Sequence, residues 1–386
     1  MKLLMVSGDR QVVIGEKGPF HSMQREFSRY FERIDVICPR ADGPITTRVI
    51  HGNVHFHPAP CGRVGMVNYI EGCGTHLIRQ HGHRLVTSHD YGWFYNGFGS
   101  ARIARATGVP YLSELHHIPG IPVAVNLRDR FDRYVARKYV GWARSRAIAF
   151  RVVNKEELPS LLHSWGVPLA RILVLPSLYI DQDVFHERQE VSGEPREPGE
   201  PEQDLLFVGR MVNNKGVDRI IDAMAILARR GMRLTALFVG KGPLRPALMR
   251  RSVKRGLADV VRFVEWVDSP ADLAQLYRAS RVCVCASTCE GGPRFTVEAM
   301  ACGTPVVSTA VGVMGDLLGD GRAGGLAGFD AKGLADGLER VLADEAGLAA
   351  KGRHAAELAR NFEYARALGV YANGLRRLAG ETELTL

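Results

Sequence analysis

The residues best suited to chemistry lie in the second half of the chain. Glu290 and Glu298 are separated by seven residues, and Gly291, Gly292 and Pro293 follow the first of them. A loop of that composition can turn backbone N–H groups toward an anion while Glu290 accepts hydrogen bonds from hydroxyls. Glu298, about one turn into the helix expected next, suits a vicinal diol such as a ribose. Upstream, Gly209-Arg210 closes a strand and Lys215-Gly216 opens a helix. Two cations on a strand-to-helix loop, beside the unpaired N–H groups of a helix N-terminus, suit a diphosphate, although loop Arg and Lys are more often simply solvated. Gly240-Lys241-Gly242-Pro243 is a second glycine-rich strand end, which reads equally well as a tight turn.

Other clusters carry less. Cys283, Cys285, Cys289 and Cys302 surround the motif, but the first two alternate as in a buried strand, and the spacing matches no zinc knuckle. His51, His55, His57, His81 and His83 have strand-like or loop spacing with no carboxylate partner in view, so no metal site is expected there. No G-x-G-x-x-G follows the first strand, so the glycine-rich turns fail the dinucleotide-binding fingerprint.

The hydrophobic pattern indicates the scaffold that must position these residues. In the first half, strands are expected at 3–7, 34–38, 54–57, 84–88, 111–115, 147–153 and 172–175, with helices at 20–31, 67–80 and 99–107. The segment 186–203 is rich in proline, glycine and charge and reads as a linker or exposed loop. Strand–helix alternation then resumes, with strands at 204–208, 234–239, 261–267, 281–286 and 305–310, and helices at 217–230, 244–255, 270–280 and 294–301. The tail over 331–379 is helical by pattern. Such alternation predicts an α/β protein of two doubly wound units, whose ligands bind at the C-terminal ends of the strands. The expected domains are 1–185, the linker 186–203, a second domain over 204–365, and a C-terminal helix over 366–386 packing back on the first.

With the run Ala299-Met300-Ala301-Cys302-Gly303-Thr304-Pro305-Val306-Val307 added, the chain resembles the retaining glycosyltransferases of the GT-B fold, family 4 of the group 1 type. The resemblance is dense over 205–312 and looser before it. It implies two Rossmann-like domains facing across a cleft, the first on the acceptor side and the second holding a nucleotide-sugar donor. It further implies that Arg210 and Lys215 neutralise the donor diphosphate, that Glu290 contacts the sugar hydroxyls and that Glu298 binds the ribose. The loop Gly291, Gly292, Pro293 and Arg294 would support sugar and phosphate through its backbone, with Phe295 and Thr296 beside it and Gly209 and Gly240 at the phosphate turns. Trp266 and Val267, at a strand end, form a candidate base pocket. In the first half, Gly18 of Glu16-Lys17-Gly18-Pro19 falls where the family has a double glycine near the phosphate, and here only one glycine is present. His116, at a strand end, matches a family histidine that faces the donor sugar, with its neighbour His117 as the alternative. Pro176-Ser177-Leu178-Tyr179-Ile180-Asp181 replaces the family's Asn-Gly hinge turn. The catalytic set implied is His116, Glu290, Arg210 and Lys215, acting with retention and without a metal or other cofactor.

Composition agrees with an enzyme of this size. The chain has 386 residues, of which 46% are hydrophobic and 24% charged, so disorder is excluded as its main state. No window approaches the roughly 18–20 apolar residues of a spanning helix. The opening Met1–Gly8 run is too short for a signal peptide and reads as a first buried strand. Seven cysteines without framework spacing point to a cytoplasmic protein. Residues 1–185 hold 23 Lys/Arg against 15 Asp/Glu, so most of the net +9 lies there. Eight of those cations fall in 127–151: Arg128, Arg130, Arg133, Arg137, Lys138, Arg144, Arg146 and Arg151. Leu127, Phe131, Val135, Tyr139 and Trp142 recur beside them at helical spacing. That stripe fits core packing, and the basic face fits either solvent or an anionic membrane leaflet. Nucleic acid is not expected, because base-stacking aromatics are not interleaved with the charges. The partners expected are a nucleotide-sugar donor and a saccharide or lipid-linked acceptor, in polysaccharide, glycolipid or glycoconjugate synthesis. The alternatives are a UDP-sugar 2-epimerase on the same fold and a non-catalytic nucleotide-sugar-binding subunit.

Overall fold

The computed structural model describes residues 1–42, 45–187 and 202–385. The chain divides into two compact units. Unit 1 comprises Met1–Ile118, Arg130–Ser177 and Ala365–Leu386, and unit 2 comprises Pro119–Asp129 and Leu178–Tyr364. Most of the expected linker, 188–201, lies outside the described residues.

Unit 1 is built on eight strands: β1 (Lys2–Val6), β2 (Arg33–Cys38), β3 (Arg48–Ile50), β4 (Val54–Pro58), β5 (Leu85–His89), β6 (Tyr111–Glu114), β7 (Ala149–Val152) and β8 (Ile172–Val174). Their order is β3-β4-β2-β1-β5-β6-β7-β8. All pairs are parallel except β3 with β4. The connecting helices are α1 (Gln11–Ile14), α2 (Pro19–Tyr30), α3 (Met66–His81), α4 (Tyr95–Thr107), α5 (Leu127–Ala143) and α6 (Glu157–Ser164). The central strands are buried on both faces, as parallel crossovers require.

Unit 2 carries β9 (Gln203–Val208), β10 (Ala236–Val239), β11 (Val261–Val264), β12 (Ser280–Cys285), β13 (Val306–Thr309) and β14 (Gly324–Ala327). They form one parallel sheet in the order β11-β10-β9-β12-β13-β14, and the order reverses between β9 and β12. Its helices are α7 (Val217–Arg229), α8 (Arg245–Lys254), α9 (Pro270–Arg278), α10 (Arg294–Ala301), α11 (Met314–Leu318), α12 (Ala331–Leu342) and α13 (Glu345–Ala359). On α7 the stripe Val217, Ile220, Ile221, Met224 and Leu227 is buried in the core with Phe207 and Phe238. Each such side chain contributes about 1.5–3 kcal/mol of apolar burial. The last helix, α14 (Tyr364–Leu378), belongs almost wholly to unit 1. There the Arg376 Nη1 donates to Tyr30 O at 3.1 Å, and Tyr371 packs on Phe27 with ring centroids 4.9 Å apart.

Several sequence expectations change. The strand expected over 261–267 stops at Val264. The expected strands miss β3, a three-residue hairpin arm, and β14, whose sequence Gly-Gly-Leu-Ala has little strand signal. The stripe on α5 is core only toward its C-terminal end: Ala136, Tyr139, Val140 and Ala143 are buried, whereas Leu127 and Phe131 are exposed. Arg151, counted with the basic surface run, is a fully buried residue of β7. Two of the histidines read as lacking a carboxylate, His57 and His83, share one. Asp35, buried in β2, accepts from His57 Nε2 and His83 Nε2, each at 2.7 Å, and from Arg33.

Candidate active site

In unit 2, Gly209, Arg210, Lys215, Glu290 and Glu298 lie on the connections that leave β9 and β12, where the strand order reverses, whereas Trp266 and Val267 follow the edge strand β11. The chain leaves β9 through Gly209 and the exposed Arg210, then makes one 3-10 turn, Asn213–Lys215, before α7. Gly216 caps that helix at φ 63°, and a Cβ there would stand 2.3 Å from Ala286 O. Only glycine allows this approach of the loop to β12. The two loops are tied together: Thr288 N donates to Asn214 O at 2.9 Å and Asn214 Nδ2 to Cys289 O at 3.4 Å. The result is a contact of 2.5 Å between Lys215 Nζ and Glu290 Oε1, with the ammonium 5.9 Å from the Phe295 ring centroid. The β10 turn is equally close. A Cβ on Gly240 (φ 139°) would lie 2.0 Å from Gly209 O.

Downstream of Glu290, the Gly291-Gly292-Pro293 loop leads directly into α10, whose first turn has no side-chain cap. Glu298 is buried one turn in. Its Oε1 accepts from Arg294 Nε at 2.8 Å and its Oε2 from Tyr277 OH at 3.1 Å. Tyr277 lies on α9, is fully buried, and was not singled out in the sequence; burial, then the Glu298 charge, holds its phenol well above the ordinary range. Phe295 turns into the core against Phe207, 5.6 Å between centroids, and the Thr296 hydroxyl donates back to Pro293 O at 2.6 Å. Those two predicted donor residues therefore present backbone rather than side chain. Trp266 is 70% exposed just beyond β11, with Val267 partly buried beside it. Cys283 and Cys285 are buried in β12 and burial raises both thiols, while burial lifts Cys302 to about 12.

In unit 1, Gly18 is the N-cap of α2 and Pro19 its first residue. His116 follows β6 and is partly buried, whereas His117 is exposed. Around His116 lie groups that the sequence reading did not assign. Arg151 Nη1 is 3.1 Å from His116 Nε2 and 3.3 Å from Glu114 Oε1. Tyr371 OH donates to the same Glu114 oxygen, and His89 Nε2 stands 2.8 Å from Glu114 Oε2. Burial pushes the His116 imidazole well below its usual range, and Arg151 adds to the effect. Burial alone would raise the Glu114 carboxyl, but Arg151 and His89 hold it well below the usual carboxylate range. At the end of β5, Asp90 is buried among hydroxyls. It accepts from Ser88 at 2.7 Å, from Tyr139 at 2.6 Å and from Ser113, and burial pushes its carboxyl up to about 7. The available signal for His89, Asp90 and Glu114 was position alone, since all three sit at C-terminal strand ends.

Among the described residues, the one group of His, Cys, Asp or Glu whose donor atoms converge is His89, Glu114 and His116, within 4.8 Å. The Arg151 guanidinium, 3.1 Å from His116 Nε2 and 3.3 Å from Glu114 Oε1, sets a fixed positive charge against this trio, so it does not fit a metal.

The family model described as "Glycosyl transferases group 1" matches residues 202–344, and that described as "Glycosyl transferase 4-like domain" matches residues 20–177. A D-inositol 3-phosphate glycosyltransferase of Paenarthrobacter aurescens is 30% identical over 308 residues, covering 78% of this chain and 74% of the relative. D-inositol 3-phosphate glycosyltransferase 2 of Catenulispora acidiphila is 33% identical over 274 residues, 66% of this chain and 62% of that protein. The chain thus spans about three-fifths of the length of the latter relative. Among solved structures, sucrose-phosphate synthase from Thermosynechococcus elongatus superposes with a TM-score of 0.75 at 21% identity, over 98% of this chain and 99% of its own. HepE from Anabaena, solved with UDP and glucose, superposes with a TM-score of 0.70 at 19% identity, over 98% and 100%. These likenesses show the two-Rossmann GT-B fold.

Proposed function

The chain belongs to the group 1, family 4 glycosyltransferases, and from that premise we propose that it moves a sugar from a nucleotide-diphosphate donor to a hydroxyl of a saccharide or lipid-linked acceptor, with retention of configuration. The observation that carries this reading is the Lys215–Glu290 contact at the switch point of unit 2. There one cation for a diphosphate and one acceptor for sugar hydroxyls stand side by side. The exposed Arg210 supplies a second cation, and Glu298, already oriented by Tyr277 and Arg294, suits the ribose diol. The solved HepE complex with UDP and glucose supports a nucleotide-sugar donor. The named substrate of the curated relatives supports a phosphorylated polyol among the acceptors to be tried.

In this reading the leaving diphosphate is stabilised by Arg210, Lys215 and backbone N–H groups, so the reaction proceeds without a metal. Sugar departure and acceptor attack occur on one face of an oxocarbenium-like centre, and the departing phosphate takes the acceptor proton. The enzyme works in the cytoplasm, at an anionic membrane face. Trp93, Phe131 and Tyr134 are 66%, 50% and 57% exposed, beside the exposed Arg133, Arg137 and Lys138. Aromatic rings and cations together suit the interfacial region of an acidic leaflet.

The deciding experiment is a thermal-shift panel of UDP, GDP, ADP, dTDP and CDP with their sugar conjugates, in EDTA. A ligand at 100 times its Kd adds about 2.7 kcal/mol of stability. A shift with one nucleotide sugar, followed by acceptor-dependent transfer, is the expected result. Product formed from a UDP-sugar without acceptor would move the assignment to an epimerase, and binding without turnover to a non-catalytic subunit.

A further inference from the structure

Arg151 belongs to β7, is 1% exposed, and is held through both terminal nitrogens and the face of its guanidinium. Its Nη1 is 3.3 Å from Glu114 Oε1, its Nη2 donates to Pro176 O, and its guanidinium carbon lies 3.6 Å from the centroid of the Tyr371 ring. The remaining contact of Nη1 is His116 Nε2, at 3.1 Å. A guanidinium offers only N–H donors and stays protonated at any pH a protein survives. The histidine nitrogen facing it must therefore offer its lone pair. A ring whose Nε2 is an acceptor is neutral, and it carries its single hydrogen on Nδ1.

We infer that Arg151 is a positioning residue that holds His116 as the neutral Nδ1–H tautomer, so that this histidine offers a substrate hydroxyl a hydrogen-bond donor and never acts as an acid or base. The inference rests on the proposed function for its substrate, but the tautomer follows from the contacts alone.

The groups that face His116 agree. Glu114, from β6, would draw a proton onto the ring if its charge were unmatched. However, its Oε1 is shared by Arg151 and Tyr371 of α14, and its Oε2 lies 2.8 Å from His89 Nε2. His89, at the end of β5, has its ring centroid 5.4 Å from that of His116. His117 is the adjacent residue and also disfavours a second positive charge. Burial acts the same way, so each contribution except that of Glu114 favours the neutral ring.

The test is long-range 1H–15N spectroscopy of the histidine rings in the full-length labelled protein, with the His116 signals assigned by their loss in His116→Gln. The wild type should show a protonated Nδ1 and an unprotonated Nε2, unchanged from pH 5.5 to 8.5. In Arg151→Met the ring should titrate with a midpoint within about one unit of 6.5, the ordinary histidine value. The transfer rate of that variant should acquire a matching pH dependence, falling as the pH drops through that midpoint. Because Arg151→Met strands Glu114, the double variant Arg151→Met/Glu114→Gln provides a second, charge-balanced case: burial still keeps the ring neutral, but with no guanidinium facing Nε2 the hydrogen should appear on Nε2 as well as Nδ1. An Nε2–H tautomer in the wild type, a wild-type ring that titrates near 6.5, or signals indifferent to Arg151→Met would each overturn the inference. If the spectra agree but no sugar nucleotide binds, the proposed function fails and the tautomer assignment stands.

Discussion

Lys215 and Glu290 hold each other in place, and their loops are tied by the bonds from Thr288 N to Asn214 O and from Asn214 Nδ2 to Cys289 O. Preorganisation of this kind makes single substitutions informative. Glu290→Ala should lower kcat by at least about 10²-fold, the scale of losing one stabilising contact at a reacting centre. The melting temperature should stay close to the wild-type value, and near-normal turnover would remove Glu290 from the site. Lys215→Ala should weaken nucleoside diphosphate binding by about 1.5–3 kcal/mol, as expected for a charge-assisted contact, and leave nucleoside binding nearly unchanged. Titration calorimetry with UDP and uridine, or whichever base the panel selects, makes the comparison. Equal losses would place Lys215 away from the phosphates. Glu298 differs from Glu290 in being buried and already bonded once on each oxygen, so in the proposed site a ribose diol would use the acceptor sites that Arg294 and Tyr277 leave.

Two devices act at the scale of the strands, one in each unit. Gly240 lets the β10 turn approach β9, because a Cβ would meet Gly209 O at 2.0 Å in a backbone region that only glycine enters freely. Gly240→Ala should cost roughly 1–3 kcal/mol from backbone strain alone, measured by urea unfolding. A change below a few tenths would mean that the turn simply relaxes. In unit 1, Asp35 ties β2 to His57 on β4, to His83 before β5 and to Arg33. Burial alone would raise its carboxyl, but those hydrogen bonds outweigh burial and hold it far below the usual range. In the unfolded chain it titrates near 3.9. The native state therefore releases that proton more readily, and the stabilisation is complete above about pH 5 and lost progressively as the pH falls. Asp35→Asn should lower stability at pH 7 by roughly 3–5 kcal/mol, the usual cost of stranding one side of a buried pair. It should also flatten the dependence of Tm on pH between about 5 and 3. An unchanged acid slope would show that other carboxylates govern acid unfolding.

At the scale of the whole molecule, the chain forms two units, and the positive charge is concentrated in its first half. Residues 1–185 carry 23 Lys/Arg against 15 Asp/Glu, while the rest of the chain is nearly balanced at 27 against 26. Among the described residues no helix is long and apolar enough to cross a membrane. The proposed attachment to a leaflet is by surface attraction, through exposed aromatics of unit 1 beside the basic face of α5. Sedimentation with phosphatidylglycerol vesicles should show binding that weakens with salt, and phosphatidylcholine vesicles should show little. At roughly 1 kcal/mol per basic residue, Arg133→Gln/Arg137→Gln should weaken binding about 30-fold. Binding indifferent to both lipid charge and these substitutions would end the membrane reading.

The amino-acid sequence by itself determined the parallel α/β alternation, because strand and helix periods are local. It also carried the glutamate pair and the basic loop, because both the spacing of Glu290 and Glu298 and the short reach from Gly209 to Gly216 lie within single strand-to-helix connections. It could not reveal contacts whose partners are far apart along the chain. Asp35 meets His57 and His83 across the sheet, and Tyr277 reaches Glu298 from another helix. Glu114 is bound by Tyr371, 257 residues later. Arg151 shows the difference most directly. In sequence it is one more cation in a basic run, and the fold of unit 1 places it in the interior against His116. Burial and long-range pairing turn a charge into a fixed hydrogen-bond donor, and only the tertiary structure decides which charges are treated that way.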